Sequence, residues 1–345
     1  MPKRVKISTH TPFQPLEAVL VGQGVSDNFF DWIDDDKIKS PLKKIVEETR
    51  EDLEGIKDAC KKFGADVFQA EPLQPNVDLY RNKQAIQVPP IQPRDVHLTL
   101  GDKVYCSSTQ QVWNYIYDIV DESCIVNLFE LTYKDGRQYR SGDTINGASS
   151  YKVGNRIIIP NIVDKDMREF SKTFFNEKGY EVVETQDEGH SDGVMSVLKP
   201  GVIVSLMDVV NYQNTFPNWE VLTVTDQSWS KVTEWLNFKN KSQGRWWIPG
   251  EESNDYLREF VDTWLNDWVG YVDETVFDVN MFSLSEEYVL VNNHNQQVFD
   301  FLKKHRIEPI ICPMRHRYFW DGGLHCFTLD LKRKGVREDY FGTEK

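Results

Sequence analysis

The chain has 345 residues, with 54 acidic side chains against 40 basic ones and a net charge of −14. That length gives two average domains or one large α/β domain, either able to bury a sizeable core. The acidic balance repels phosphate backbones and anionic membrane surfaces, so neither nucleic acid nor membrane is an expected partner, and a small cationic molecule is.

Cys60, Cys106, Cys124, Cys312 and Cys326 are odd in number and widely spaced. They argue against a disulfide scaffold or a zinc ribbon and leave at least one thiol free. The basic start MPKRVKISTH runs into no apolar segment, and no stretch approaches the ~18 apolar residues of a membrane span. The expected location is cytoplasmic.

In chain order, Leu16 to Gly22 is an apolar, β-branched run ending at glycine, the pattern of a buried strand. From Lys39 to Phe63, apolar residues recur at helical spacing. Ser40 is the expected cap, Pro41 the first helical residue and Gly64 the stop. Asp66 to Gln69 follows as a short strand, completing a strand, helix, strand unit. The theme recurs without sequence repetition. His97 to Leu100 and Lys103 to Cys106 flank Gly101-Asp102 as a hairpin. Arg156 to Ile159, Tyr180 to Glu184, Gly201 to Leu206, Tyr288 to Asn292 and Glu308 to Cys312 read as strands, and Asp166 to Lys178 and Gln296 to His305 as helices. Between about 212 and 272 tryptophans concentrate among charges. This region reads as an inserted helical subdomain packing on its own aromatic area, with a lid or an oligomer contact, such as a homodimer's, as alternatives. The charged end from about 336 reads as a solvated tail.

Three distant segments carry chemistry. Pro93-Arg94-Asp95 places a carboxylate at the mouth of a hairpin, where it can cap a turn or hold a cation. In Glu188-Gly189-His190-Ser191-Asp192-Gly193, an extended backbone would project His190 and Asp192 from one face. In Trp320-Asp321-Gly322-Gly323-Leu324-His325-Cys326, a double glycine lets backbone approach the thiol closely. A free cysteine, a distant histidine and two carboxylates together suit covalent attack on a cationic carbon centre.

These segments resemble the guanidine-modifying superfamily, and most of all its amidinotransferase branch. The stretch THTPFQPLEAVLVG from Thr9 to Gly22, the "PRD…G" of Pro93 to Gly101, the "HxD…PG" of His190 to Gly201 and the "GGGxHCxTxDxRRxG"-like run from Asp321 to Gly335 occur in the family's order. The resemblance implies a single α/β domain over 1–345, a five-bladed pseudo-symmetric propeller of ββαβ-like units around a central pocket. It also implies an amidinotransferase that moves the amidino group of arginine, or a similar guanidino donor, to an acceptor amine. Cys326 would be the nucleophile, His190 the proton carrier, and Asp95 and Asp192 the clamp on the guanidinium.

The chain departs from the family in two places. The aspartate that supports the family's catalytic histidine falls on Ser149, which can hydrogen-bond an imidazole without stabilising its charge. Glu188, Asp143 or Asp187 are the candidate substitutes. The family arginine that grips the substrate carboxylate falls on Val209, with a supporting serine near Glu274; Arg315 or Arg317 are candidates for that role. Two alternatives stand beside transfer: a hydrolase of the same superfamily, and a non-catalytic relative that binds guanidino compounds. No metal site is expected, because the histidines lack ligand spacing. No nucleotide or other cofactor is expected either, because GxGxxG and phosphate-loop patterns are absent from the sequence.

Overall fold

The protein is represented by a computed structural model that describes residues 4–78, 86–130, 145–185, 189–206, 212–224, 246–270 and 278–341. Its described strands form five three-stranded sheets, each with one antiparallel pair and a third strand joined parallel to it. The first comprises β1 (Leu16–Val21), β2 (Asp66–Gln69) and the C-terminal β15 (Thr328–Arg333). The others follow in chain order: β3 (His97–Leu100), β4 (Lys103–Cys106) and β5 (Ile125–Asn127); β6 (Tyr151–Val153), β7 (Arg156–Ile159) and β8 (Glu181–Glu184); β9 (Met195–Lys199), β10 (Val202–Ser205) and β11 (Glu220–Thr223); β12 (Phe282–Ser283), β13 (Tyr288–Val291) and β14 (Glu308–Ile311). Five like units bear out the expected propeller. A parallel return needs a crossover, which the helices supply: α1 (Asp36–Phe63) between β1 and β2, α2 (Lys165–Glu177) between β7 and β8, and α4 (Gln296–Lys304) between β13 and β14. The additional helix α3 (Asp255–Trp264) packs against α1.

Closure depends on the two ends of the chain. β15 pairs antiparallel with β1, Val21 opposite Thr328 and Leu16 opposite Arg333. The segment carrying Cys326 is therefore anchored to the first strand, and Gly22 donates its N–H to the Phe327 carbonyl at 2.8 Å.

Three local expectations are corrected. Helix α1 begins at Asp36, not beside Ser40; Asp35 caps it by accepting from the Lys37 N–H. Pro41 thus lies inside the helix, where it removes the bond that a residue-41 N–H would give the Lys37 carbonyl. Asn254 of the distant α3 cap donates its amide to that carbonyl at 2.7 Å instead. Second, beside local contacts such as Trp246 Nε1 donating to Asp262 Oδ1 at 2.9 Å, the described parts of the 212–272 region pack into the rest of the fold. Glu220–Thr223 completes the fourth sheet, while Leu257, Val261, Leu265 and Trp268 join the core beneath α1, with Trp268 stacked on Trp320. Third, the end of the chain through 341 is a strap. Tyr340 meets the Phe13 ring edge to face, Phe341 stacks on Trp219, and the Arg337 guanidinium lies over Tyr180. Its charges misled because the aromatic and arginine side chains between them carry the packing area. Among the described residues, no helix is long and apolar enough to cross a membrane.

Candidate active site

Each sheet is entered through a short irregular segment that leads into its buried antiparallel edge strand, β3, β6, β9, β12 or β15. The segments hold equivalent positions. Asp95 stands two residues before β3, Ser149 two before β6, Asp192 three before β9, Asn280 two before β12 and Cys326 two before β15. A repeated unit delivers one side chain from each of five places in the sequence to one region. Pro93–Asp95 and Ser191–Gly193 are single 3-10 turns, so His190 and Asp192 are not on an extended strand as expected. The turn still sets both within electrostatic reach of Asp95.

Cys326 and Asp192 are 4% and 1% exposed. The Cys326 thiol donates to Asp192 Oδ2 across 3.5 Å, and the same oxygen accepts from His325 Nδ1 at 2.8 Å. Asn280 ties the parts together. Its Oδ1 accepts from the His325 N–H at 2.8 Å and the Cys326 N–H at 3.3 Å, while its Nδ2 donates to the Asp192 carbonyl and to Cys326 Sγ, both at 3.1 Å. The Tyr151 ring lies parallel to His325 at 5.3 Å. Two carboxylate oxygens, Asp192 Oδ1 and Asp95 Oδ1, are buried with no hydrogen-bond partner among the described residues. Buried acceptors are normally satisfied, so a pair left open beside a thiol suits a donor that arrives with a ligand.

The electrostatics agree with that reading. Burial pushes the Asp95 carboxyl up to about 7; Asp192 and Asp321 push the same way, against His190 and Arg94. Burial alone would raise Asp192 too, but the His325 hydrogen bond and the charges of His190 and Arg94 outweigh it, and this carboxyl is held below its ordinary value. Burial and then Arg94 bring the His325 imidazole down to about 4 against the pull of Asp192. It is therefore a neutral ring donating to an ionised carboxylate. Burial, then Asp192 and Asp95, drive the Cys326 thiol well above the ordinary cysteine value. Without a cation between the carboxylates, sulfur stays protonated and unreactive.

The frame around these groups is rigid. Arg94 Nε donates to the carbonyls of His325 at 2.9 Å and Thr328 at 2.8 Å, bracketing Cys326, and its Nη2 meets Asp330 Oδ1 at 2.9 Å. Asp330, wholly buried, is also paired with Lys152 and Arg333. Gly323 is required by proximity: a Cβ there would lie 2.6 Å from Asn280 Oδ1.

The structure thus brings Cys326, Asp192, Asp95 and His190 into one neighbourhood, with the His190 ring exposed at its edge. Ser149 lies against the same turn through its backbone: its carbonyl accepts from the Ser191 hydroxyl at 2.9 Å, and Asn146 Oδ1 accepts its N–H at 2.7 Å. Glu188, Asp143, Asp187, Val209 and Glu274 lie outside the described residues. Arg315 is placed elsewhere. Its guanidinium is held by Asp52 at 2.8 Å, Glu51 at 2.7 Å and the Glu48 carbonyl at 2.8 Å, all on α1. Those contacts take up its Nε and Nη2 donors and make it a brace between α1 and the segment before Arg317. Arg317 donates to the Met314 carbonyl and lies over Tyr318.

Sequence reasoning overlooked Arg94, Asn280, Tyr151 and His325. Arg94 and His325 sit inside motifs already singled out, next to Asp95 and Cys326. Asn280 carried one legible signal, its place just ahead of a unit's first strand. Among the described residues, no group of three or more His, Cys, Asp or Glu is placed to hold a metal ion.

Comparison with known proteins points the same way. No family model matches the chain. Over 70 residues it is 30% identical to an L-arginine:L-lysine amidinotransferase of Pseudomonas savastanoi pv. phaseolicola, covering 20% of this chain and 19% of that protein. Over 63 residues it is 32% identical to the mitochondrial glycine amidinotransferase of Xenopus laevis, covering 18% of this chain and 15% of that one. The chain thus spans less than a fifth of the length of the curated relatives it matches.

Likeness in fold extends much further. The inosamine-phosphate amidinotransferase of Streptomyces griseus superposes with a TM-score of 0.64 at 16% identity, covering 97% of this chain and 99% of the other. An amidinotransferase of the saxitoxin biosynthetic pathway from Microseira wollei gives 0.62 at 16% identity, with the same coverage of both chains. A dimethylarginine dimethylaminohydrolase gives 0.52 at 11% identity, covering 91% of this chain and 99% of the other. The short matches to curated amidinotransferases agree with the superfamily read from the motifs, and the fold is that of the structural neighbours.

Proposed function

We propose that this protein is an amidinotransferase acting on arginine or a similar guanidino donor through a covalent Cys326 intermediate. One observation carries the reading: the Cys326 sulfur and two open, buried carboxylate oxygens, on Asp95 and Asp192, converge on one region. A guanidinium is planar, cationic and bears donors in a fork, so it can satisfy two such oxygens together and present its carbon to sulfur. Its charge also removes what opposes the thiolate. The Cys326 S–H bond breaks with its proton passing to His190, sulfur bonds to the guanidinium carbon, the carbon–nitrogen bond to the departing amine breaks, and His190 gives that amine the proton. An acceptor amine, deprotonated by His190, attacks the amidino carbon and releases the sulfur. His325, neutral and bonded to Asp192, orients the carboxylate and leaves the proton transfer to the exposed His190.

Hydrolysis is the second reading, favoured by the exposure of His190, because water reaching that imidazole could replace the acceptor. Incubation with arginine, with and without a panel of amines that includes glycine, separates the two. Intact mass should show an amidino adduct on Cys326, absent in Cys326→Ala. Ornithine accumulating only with an acceptor supports transfer, and citrulline supports hydrolysis. Unchanged arginine and an unmodified Cys326 under all conditions would rule out both for that donor.

A further inference from the structure

The described residues leave a recess of about 240 Å³ on one flank of Asp95, between the segment 88–96 and the loop after β4. That is roughly the liquid volume of eight waters, enough for a small organic body. Its wall holds the apolar side chains of Val88, Pro89 and Trp113 and the polar ones of Ser107, Ser108 and Gln110, together with Gln92 and Asp95. Trp113 is fixed from behind by His97, whose ring meets it edge to face at 5.7 Å. Gln92 is fixed as well: its amide nitrogen donates to the Trp320 carbonyl at 2.7 Å and the Asp321 carbonyl at 2.8 Å, leaving its oxygen as an acceptor. Ser107 donates to the Val96 carbonyl at 3.1 Å and keeps acceptor capacity, whereas Ser108 accepts from the Gln110 N–H at 3.2 Å and keeps a donor. The polar wall therefore offers uncharged donors and acceptors beside an aromatic surface.

Charge narrows the choice. Asp95 borders the recess, and Asp192 and Asp321 lie within its electrostatic reach, opposed there by His190 and Arg94, with burial and the acids still leaving Asp95 raised. Asp321 occupies the first position of a glycine triplet in the resembled motif and holds a left-handed backbone with φ 49°. Three carboxylates so placed repel an anionic group entering beside them.

Resting on the amidinotransferase reading, we propose that this recess is the subsite for the body attached to the reacting nitrogen, and that it selects a neutral, hydroxyl-bearing body over one that carries a carboxylate on the carbon next to the guanidinium. When a guanidinium reaches Asp95, its substituent falls against Ser108 and Gln110 with its carbon face on Trp113. Each hydroxyl meets an uncharged partner there, while a carboxylate meets the field of Asp95, Asp192 and Asp321.

The test is a calorimetric titration of the full chain at pH 8 with four probes: guanidine, ethylguanidine, 2-hydroxyethylguanidine and guanidinoacetate. The expected order places 2-hydroxyethylguanidine roughly three- to tenfold tighter than ethylguanidine, the worth of one neutral hydrogen bond, and guanidinoacetate weakest. In the double variant Ser108→Ala with Gln110→Ala, the advantage of the hydroxyl should vanish while guanidine binds as before. Guanidinoacetate binding as tightly as 2-hydroxyethylguanidine would overturn the proposal, as would a double variant that weakens all four probes by one factor. If guanidine itself gives no binding heat and leaves Cys326 equally open to alkylation, the amidinotransferase reading fails and takes this subsite with it. Guanidine binding with no discrimination among substituents overturns the subsite alone.

Discussion

Replacing Asp95 by asparagine should stabilise the protein at alkaline pH and weaken guanidine binding at the same time. The Asp95 carboxyl is raised from the ordinary 3.8 to about 7, first by burial and then by Asp192 and Asp321. That interval is worth roughly 4 kcal/mol between the two protonation states. Because the folded value is the higher one, the folded chain holds a proton on Asp95 that the unfolded chain has lost. This component of stability is present below about 4, declines as pH rises towards 7, and is absent above it. Asparagine has the same shape and never ionises. Asp95→Asn should therefore match wild type near pH 4 and exceed it by roughly 2 to 4 kcal/mol at pH 8.5, the lower figure allowing for partial solvation and an imperfectly paired amide.

Urea denaturation of both proteins at pH 4.5, 6, 7 and 8.5 gives the difference directly, and acid effects common to both cancel. Calorimetric titration with guanidine should show at least tenfold weaker binding in the variant, since a charge-assisted hydrogen bond is worth about 1.5–3 kcal/mol. A stability difference independent of pH, or an asparagine variant less stable at pH 8.5, would refute the claim that Asp95 is held ionised at a cost. The opposite signs on stability and binding mark a group placed for a ligand.

Arg315→Met should lower stability by about 1–2 kcal/mol, because Asp52 loses the guanidinium and keeps only the residue-315 N–H, while the more exposed Glu48 and Glu51 pairs count for little. Guanidine affinity should be unchanged, and a drop in affinity would return Arg315 to the substrate site. Gly323→Ala places a Cβ 2.6 Å from Asn280 Oδ1, so Asn280 must shift and release Cys326. Amidination of Cys326, followed by intact mass, should slow at least tenfold for a stability loss of about 1–3 kcal/mol. Rates equal to wild type would mean that Asn280 does not position the sulfur.

Much of the architecture was legible because it rests on local periodicity. The strands Asp66–Gln69, His97–Leu100, Lys103–Cys106 and Arg156–Ile159 have the bounds their alternation and glycines predict. Gly64 ends α1 with φ 104°, as its residue type foretold. What the sequence concealed depends on distant partners. Helix α1 tolerates Pro41 because Asn254, 217 positions beyond Lys37, takes up the freed Lys37 carbonyl. The C-terminal residues look solvated until Phe13, Tyr180 and Trp219 are beneath them. Arg94 is an ordinary surface-type residue until His325 and Asp330, more than 230 positions later, surround it.

The five entry positions explain how one frame accommodates so much charge. The repeat fixes where Asp95, Ser149, Asp192, Asn280 and Cys326 stand, leaving residue type to set the chemistry. Beneath them Arg94, Lys152 and Arg333 surround Asp330, whose carboxyl stays far below its ordinary value despite burial, and Arg94 extends that positive field to Asp192 and Asp95. Even so, Asp95 is raised to about 7, so the cations do not fully balance the acids. A further carboxylate at position 149 would raise Asp95 more and hold the Cys326 thiol further from ionisation, since both already feel the neighbouring acids. The backbone carbonyl of residue 149 keeps the turn connected through Ser191, and the serine side chain adds no charge there. The additional acid stands instead at Asp321, beyond Gly322 and Gly323 from the sulfur, where it acts on the Asp95 carboxyl.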